Sequence, residues 1–148
     1  MANTDALQRL REETGAGLVV CKKAFDEAGG DIEKAIAILH EKGMAKVEKT
    51  AGRSAGAGLV YSYVHNERVG VLLDLRAETD FVVRSEPFKQ LSHEIAMQIA
   101  AMGGETIEEI LDQPYIKDPS KKISDLINDV IARVGEKVVI NKFFRMEV

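Results

Sequence analysis

Leu59-Val60-Tyr61-Ser62-Tyr63-Val64, then His65-Asn66-Glu67-Arg68, then Val69-Gly70-Val71-Leu72-Leu73-Asp74-Leu75: this stretch decides the fold. Val69, Val71, Leu73 and Leu75 alternate with Gly70, Leu72 and Asp74. Such alternation places one set of side chains on each face of a strand. The four polar residues between the two runs form a turn, so the stretch reads as an antiparallel hairpin.

Downstream, the period lengthens. Ser85 is placed to cap a helix with Pro87 in its first turn, carrying Phe88, Leu91, Ile95 and Ile99 inward and stopped by Gly103-Gly104. Thr106-Ile107-Glu108-Glu109 has the spacing of a capping box for a short helix. Pro114 and Pro119 bracket a loop, and Ser120 starts a helix with Ile123, Leu126, Ile127, Val130 and Ile131 inside, ended by Gly135. Lys137 to Phe144 reads as a last strand, with Val138, Ile140, Phe144 and Met146 on one face and Val139 and Phe143 on the other.

Upstream the chain is helical. Asn3 or Thr4 is placed to cap a helix with Leu7 and Leu10, stopped by Gly15. A second helix carries Leu18, Cys21, Phe25 and Ala28 on one face and ends at Gly29-Gly30. Asp31 caps a third, with Ile32, Ala35, Ile36 and Leu39 inside, ended by Gly43. Residues 44–58 are rich in lysine, glycine and small residues and read as a linker that is helical at most at its start. The expected fold is α+β: a three-helix unit over residues 1–43, the linker 44–58, and a core over 59–148 whose three-stranded antiparallel sheet is covered by helices.

Composition narrows the function. The chain has 148 residues, 45% hydrophobic and 30% charged, the balance of a globular protein. No apolar run is long enough to span a membrane, and the N-terminus lacks a signal-peptide layout. With 20 Lys+Arg against 24 Asp+Glu the net charge is -4, and basic and acidic residues nearly balance over the helical unit. That argues against nucleic-acid binding, which usually needs a basic surplus. Aromatics make up 5% with no Trp, too few for a base-stacking platform. The single cysteine excludes an internal disulfide and a cysteine zinc site, and points to a reducing cytoplasm.

The searches for chemistry fail. His93-Glu94 opens a zinc-protease motif, but Met97 stands where the second histidine belongs. His40, His65 and His93 are widely separated, so no metal site is expected. Gly15-Ala16-Gly17 and Gly56-Ala57-Gly58 have Val20 and Tyr61 where a dinucleotide fingerprint needs glycine. Cys21 precedes Lys22 and Lys23, which would favour a thiolate, but it lies on the apolar stripe and has no base nearby, so core packing is the favoured reading. Asp26, Glu27, Asp31 and Glu33 do not follow a calcium-loop pattern. A binding or regulatory role moves ahead of an enzyme, and no cofactor is expected.

One segment resists a purely structural reading. Arg76-Ala77-Glu78-Thr79-Asp80-Phe81-Val82-Val83-Arg84 sets a bulky Phe in a polar connection. From composition alone, Phe81 and Val82 fold back as a plug under the helix. The alternative is an exposed aromatic probe that enters a partner's pocket.

These residues resemble the elongation factor Ts family, guanine-nucleotide exchange factors for elongation factor Tu. Leu10-Arg11-Glu12-Glu13-Thr14-Gly15-Ala16-Gly17, Cys21-Lys22-Lys23-Ala24 and Gly30-Asp31-Ile32-Glu33-Lys34-Ala35 are similar to its ubiquitin-associated-type helical domain. Glu78-Thr79-Asp80-Phe81-Val82 matches its Thr-Asp-Phe-Val motif, and Val134-Gly135-Glu136-Lys137-Val138-Val139-Ile140 its helix-to-strand passage. The resemblance covers essentially the whole chain and is closest to the short forms. Leu18 and Val19 stand where many members carry Met-Met.

The resemblance implies a cytoplasmic exchange factor that binds elongation factor Tu, GDP-bound and nucleotide-free. The helical unit would dock through Arg11, Leu18 and Val19. Thr79, Asp80, Phe81 and Val82 would disturb the partner's magnesium site. It also implies a homodimer, in which a second copy covers the sheet. Two readings compete: a passive module that binds a helix or a ubiquitin-like protein, and a small enzyme using Cys21.

Overall fold

The computed structural model describes residues 2–148. Three helices come first: α1 Ala2–Thr14, α2 Leu18–Glu27 and α3 Ile32–Thr50. Leu10, Cys21, Ala24 and Ala35 are completely buried where the three meet, with Phe25 and Leu39 closing the small core. Gly15 ends α1 with φ 69°. Asp31 caps α3 by accepting from the Lys34 amide at 3.1 Å.

Two helix ends differ from expectation. Asn3 and Thr4 lie inside α1, which starts at Ala2 and carries Asp5 in its first turn, where a negative charge suits the helix dipole. Gly43 does not end α3, which runs on to Thr50, so the first part of the 44–58 span is helix. Gly43 serves close approach: a Cβ there would sit 3.0 Å from the Ala132 side chain. Beyond it, Lys46 donates from Nζ to the Ala132 carbonyl at 2.8 Å. The second half of α3 is thereby held against the core, and Thr50 is buried.

The sheet follows: β1 Ala57–His65 and β2 Val69–Ala77 form the expected hairpin. Asn66 and Glu67 both have positive φ, 50° and 59°, the backbone of the tight turn whose twist matches paired strands. β1 begins earlier than Leu59, and Gly58 is a strand residue. A Cβ at Gly58 would come within 2.7 Å of the Leu75 carbonyl oxygen, so glycine is required by the pairing and not by a flexible linker.

The remaining elements are α4 Asp80–Val83, α5 Glu86–Met102, α6 Ile107–Asp112, β3 Pro114–Tyr115, β4 Asp118–Lys122, α7 Ile123–Val134 and β5 Val138–Glu147. β5 pairs antiparallel with β2, giving the order β1-β2-β5. α5 and α7 cover one sheet face: Phe88, Ile95, Ile99 and Ile123 are fully buried against Leu73, Leu75 and Val138. Truncating any of these large core side chains should cost roughly 2–5 kcal/mol.

The stretch read as a loop between Pro114 and Pro119 is a second small hairpin, and Ser120 does not start α7. Its hydroxyl and amide both donate to Asp118, which holds it in β4. α7 begins later because the Asp125 carboxylate accepts from the Lys122 amide at 2.8 Å.

The faces of β5 also differ. Val138 and Ile140 point inward, but Phe144 and Met146 point outward, and Phe143 packs on the core. Between Asp74↔Lys142 and Leu75↔Ile140 the register slips, leaving Asn141 as an extra residue. Such a bulge reverses the alternation beyond it. Asn141 donates to Asp74 at 2.9 Å, so the extra residue is itself tied down.

Candidate functional site

The polar connection after β2 folds into the single turn α4. The Thr79 hydroxyl caps it, accepting from the Val82 amide at 3.4 Å. Ser85 donates to the Val82 carbonyl at 2.6 Å and closes the turn at its other end. Helical geometry then separates neighbours: Val82 and Val83 drop into the core, while Phe81 points away from it with 86% of its surface exposed. The expected plug is thus half correct. Val82 fills that place, and Phe81 does not.

Outside β2, the connection is gripped from α7 and β5. Glu136 accepts from the Thr79 amide at 3.0 Å and from its hydroxyl at 2.8 Å. In return Glu78 accepts from the Lys137 amide at 3.1 Å. Arg53, just beyond α3, lies 3.5 Å from the same Glu78 carboxylate. Asp80 and Phe81 therefore project from a turn fixed on several sides.

The second group lies on the helical unit. Leu18 was expected on the core stripe of α2, yet it is 53% exposed, and Val19 is 67% exposed. Both occupy the first turn of α2, and Cys21, Ala24 and Phe25 fill the core in their place. Arg11 and Leu18 line one hollow with Leu7 and Ala16, and Arg133 of α7 joins them there. Arg133 had no signal in the sequence beyond its place two residues before Gly135. Three residues further on, Glu136 grips Thr79, so the end of α7 connects the hollow with the α4 turn.

Other candidates are accounted for by structure. Cys21 is fully buried, with its sulfur 3.5 Å from the Ala16 carbonyl. His93 pairs through Nδ1 with the Tyr61 hydroxyl at 2.7 Å, and His65 with Tyr63 at 3.0 Å. Among the described residues, no three His, Cys, Asp or Glu side chains gather as a metal ion would need. Among them, too, no helix is long and apolar enough to cross a membrane.

Glu94, set aside with the failed zinc-protease motif, has a structural role. It is buried, accepts from the Tyr115 hydroxyl, and takes Lys117 Nζ at 3.0 Å. Burial opposes its charge, but the bonds from Tyr115 and Lys117 together hold its carboxyl below the ordinary range, while the Tyr115 phenol is pushed up. The available signal was an acid on the buried side of α5, one turn from Leu91.

Comparison with known proteins places these residues in context. Residues 78–148 match the family model described as Elongation factor TS. The chain is 38% identical over 186 aligned positions to a protein named elongation factor Ts from Thermodesulfovibrio yellowstonii, covering 96% of this chain and 94% of that protein. It is 40% identical to the one from Coprothermobacter proteolyticus, covering 94% of each. It is 39% identical to the one from Thermotoga maritima, covering 97% of this chain and 94% of that protein. The first alignment is 186 positions long against a chain of 148 residues, so that relative carries residues this chain lacks.

Proposed function

The chain belongs to the elongation factor Ts family, and from that premise we propose that it is a guanine-nucleotide exchange factor for elongation factor Tu. It binds the GDP-bound partner, disturbs its magnesium site and promotes GDP release without covalent chemistry. The observation that carries this reading is Phe81: a large aromatic left 86% exposed on a turn whose other apolar residues are buried.

Exchange is a matter of linkage. A factor that speeds GDP loss binds the nucleotide-free partner more tightly than the GDP-bound one, and each ligand weakens the other equally. Magnesium is held in a strict octahedron by few protein ligands, so small displacements weaken it strongly. Phe81 acts as a wedge between the partner's helices, with Asp80 perturbing bonds around the ion. Arg11, Leu18 and Val19 supply docking: Arg11 and Leu18 line one hollow, and Val19, beside Leu18 in the first turn of α2, is exposed, which supports that role. The helical unit is of the ubiquitin-associated type, and the chain works in the cytoplasm, where translation runs.

We further propose a homodimer built on the uncovered sheet face. The register brings Leu72 beside Phe144 and Gly70 beside Met146, with Val60 and Val64 exposed on the same side of β1. An exposed apolar sheet face of this kind usually marks an interface, and a second copy would pack on it sheet against sheet.

The deciding experiment is release of labelled GDP from elongation factor Tu with and without the chain. Faster release supports exchange. Binding with an unchanged GDP off-rate would mean a passive binding module instead.

A further inference from the structure

Where β2 and β5 part, the chain does something that the sheet does not require. The ladder ends at Ala77↔Val138. Immediately beyond, side chains take over the pairing. Glu136 receives both donors of Thr79, and Glu78 receives the Lys137 amide. We propose that Glu136 is a positioning residue for exchange, fixing the turn that presents Asp80 and Phe81; this rests on the exchange reading above.

With so little of Phe81 covered, its own packing cannot fix its position, and the backbone of α4 must do so. The start of that backbone is framed by one hydroxyl, that of Thr79. Thr79 Oγ1 accepts from the Val82 amide and donates to Glu136, so the cap of the turn is itself anchored to the α7–β5 joint. Gly135 makes the joint possible: its φ of 74° is left-handed, and it turns the chain out of α7 directly before Glu136.

The clasp adds little to stability. β2 and β5 are already paired from Val69↔Glu147 to Ala77↔Val138, and a half-buried carboxylate at the surface contributes modestly. Its consequence is orientation. It also joins two surfaces, because Arg133 lines the Arg11–Leu18 hollow one turn earlier on α7. A partner seated on that hollow meets Phe81 at a height set by Glu136.

The test compares wild type with Glu136→Ala, Glu136→Gln and the double variant Phe81→Ala/Glu136→Ala. GDP release from elongation factor Tu is measured over a range of chain concentrations. Glu136→Ala should lower the maximal release rate about fivefold, the scale of one net hydrogen bond. The half-saturating concentration should stay within about twofold, and the melting temperature within about 2 °C, as for a surface change. Glu136→Gln keeps an oxygen for the Thr79 amide and should restore more than half of the rate. The double variant should be no slower than Phe81→Ala alone, since residues acting through one another do not add.

An unchanged maximal rate in Glu136→Ala, or multiplied losses in the double variant, would overturn the proposal. A second arm needs no partner: hydrogen exchange at the Thr79 amide in the free chain should quicken about tenfold or more in Glu136→Ala. Equal protection in both chains would also overturn it. If wild type fails to release GDP, the exchange reading falls, and the amide arm still decides whether Glu136 orders the turn.

Discussion

Phe81 and Val82 are consecutive residues that face opposite ways, one 86% exposed and the other 4%. The core takes Val82 as an anchor, and the same turn thrusts Phe81 outward. In the proposed exchange reading, stability and function are thereby separated by one position. Val82→Ala should lower stability by ~2 kcal/mol through a small cavity. A thermal melt checks this; a melting temperature equal to wild type would mean that Val82 does not anchor the turn.

Docking and exchange should also separate. Val19→Asp places a charge on an exposed apolar residue away from both α4 and the core. It should raise the half-saturating concentration in GDP release about tenfold, as loss of an interface contact does, and leave the maximal rate and the melt unchanged. A lowered maximal rate at full saturation would show that Val19 belongs with the wedge.

The proposed dimer is tested on the outer sheet face. Phe144→Lys exchanges an outward aromatic for a charge without touching the covered face, because the bulge at Asn141 turns Phe144 away from α5. Sedimentation at micromolar concentration should show a wild-type species of twice 16.3 kDa and a monomeric variant. A wild-type species of 16.3 kDa alone would exclude the dimer.

Acid should act through two carboxylates. Asp74 is held below its ordinary range by the Arg76 guanidinium, with burial opposing and Asn141 assisting. Glu94 is also held low, as described above. A carboxylate with a depressed folded pKa binds fewer protons folded than unfolded. Its stabilisation is complete above the unfolded value of about 4 and is lost as pH falls through the folded value. The melting temperature should therefore stay level from about pH 7 to 5 and fall below about pH 4. Glu94→Gln should flatten that fall. A steep loss already above pH 5 would contradict this assignment to the two carboxylates.

Much of this was legible because it depends on local rules. Alternation at 69–75 fixed the hairpin, and Phe88, Leu91, Ile95 and Ile99 lie inward on α5 as their spacing predicts. The motif at 79–82 was visible, but not the direction of Phe81, since helical twist at a single turn carries no periodic signal. The end of α3 was hidden because Gly43 serves contact with Ala132, a partner distant in sequence. The inversion within β5 depends on the bulge at Asn141, and the grip of Glu136 on Thr79 joins residues from opposite ends of the core. Both are facts of tertiary pairing.

In the proposed mechanism an exposed Phe81, held by its turn, drives exchange. The measurement that tests it most directly is labelled GDP release from elongation factor Tu at saturating Phe81→Ala, with a thermal melt of the same sample. The account predicts an unchanged melt and a release rate about tenfold or more below wild type, the scale of an interfacial aromatic anchor. Near-normal release per folded molecule would contradict it.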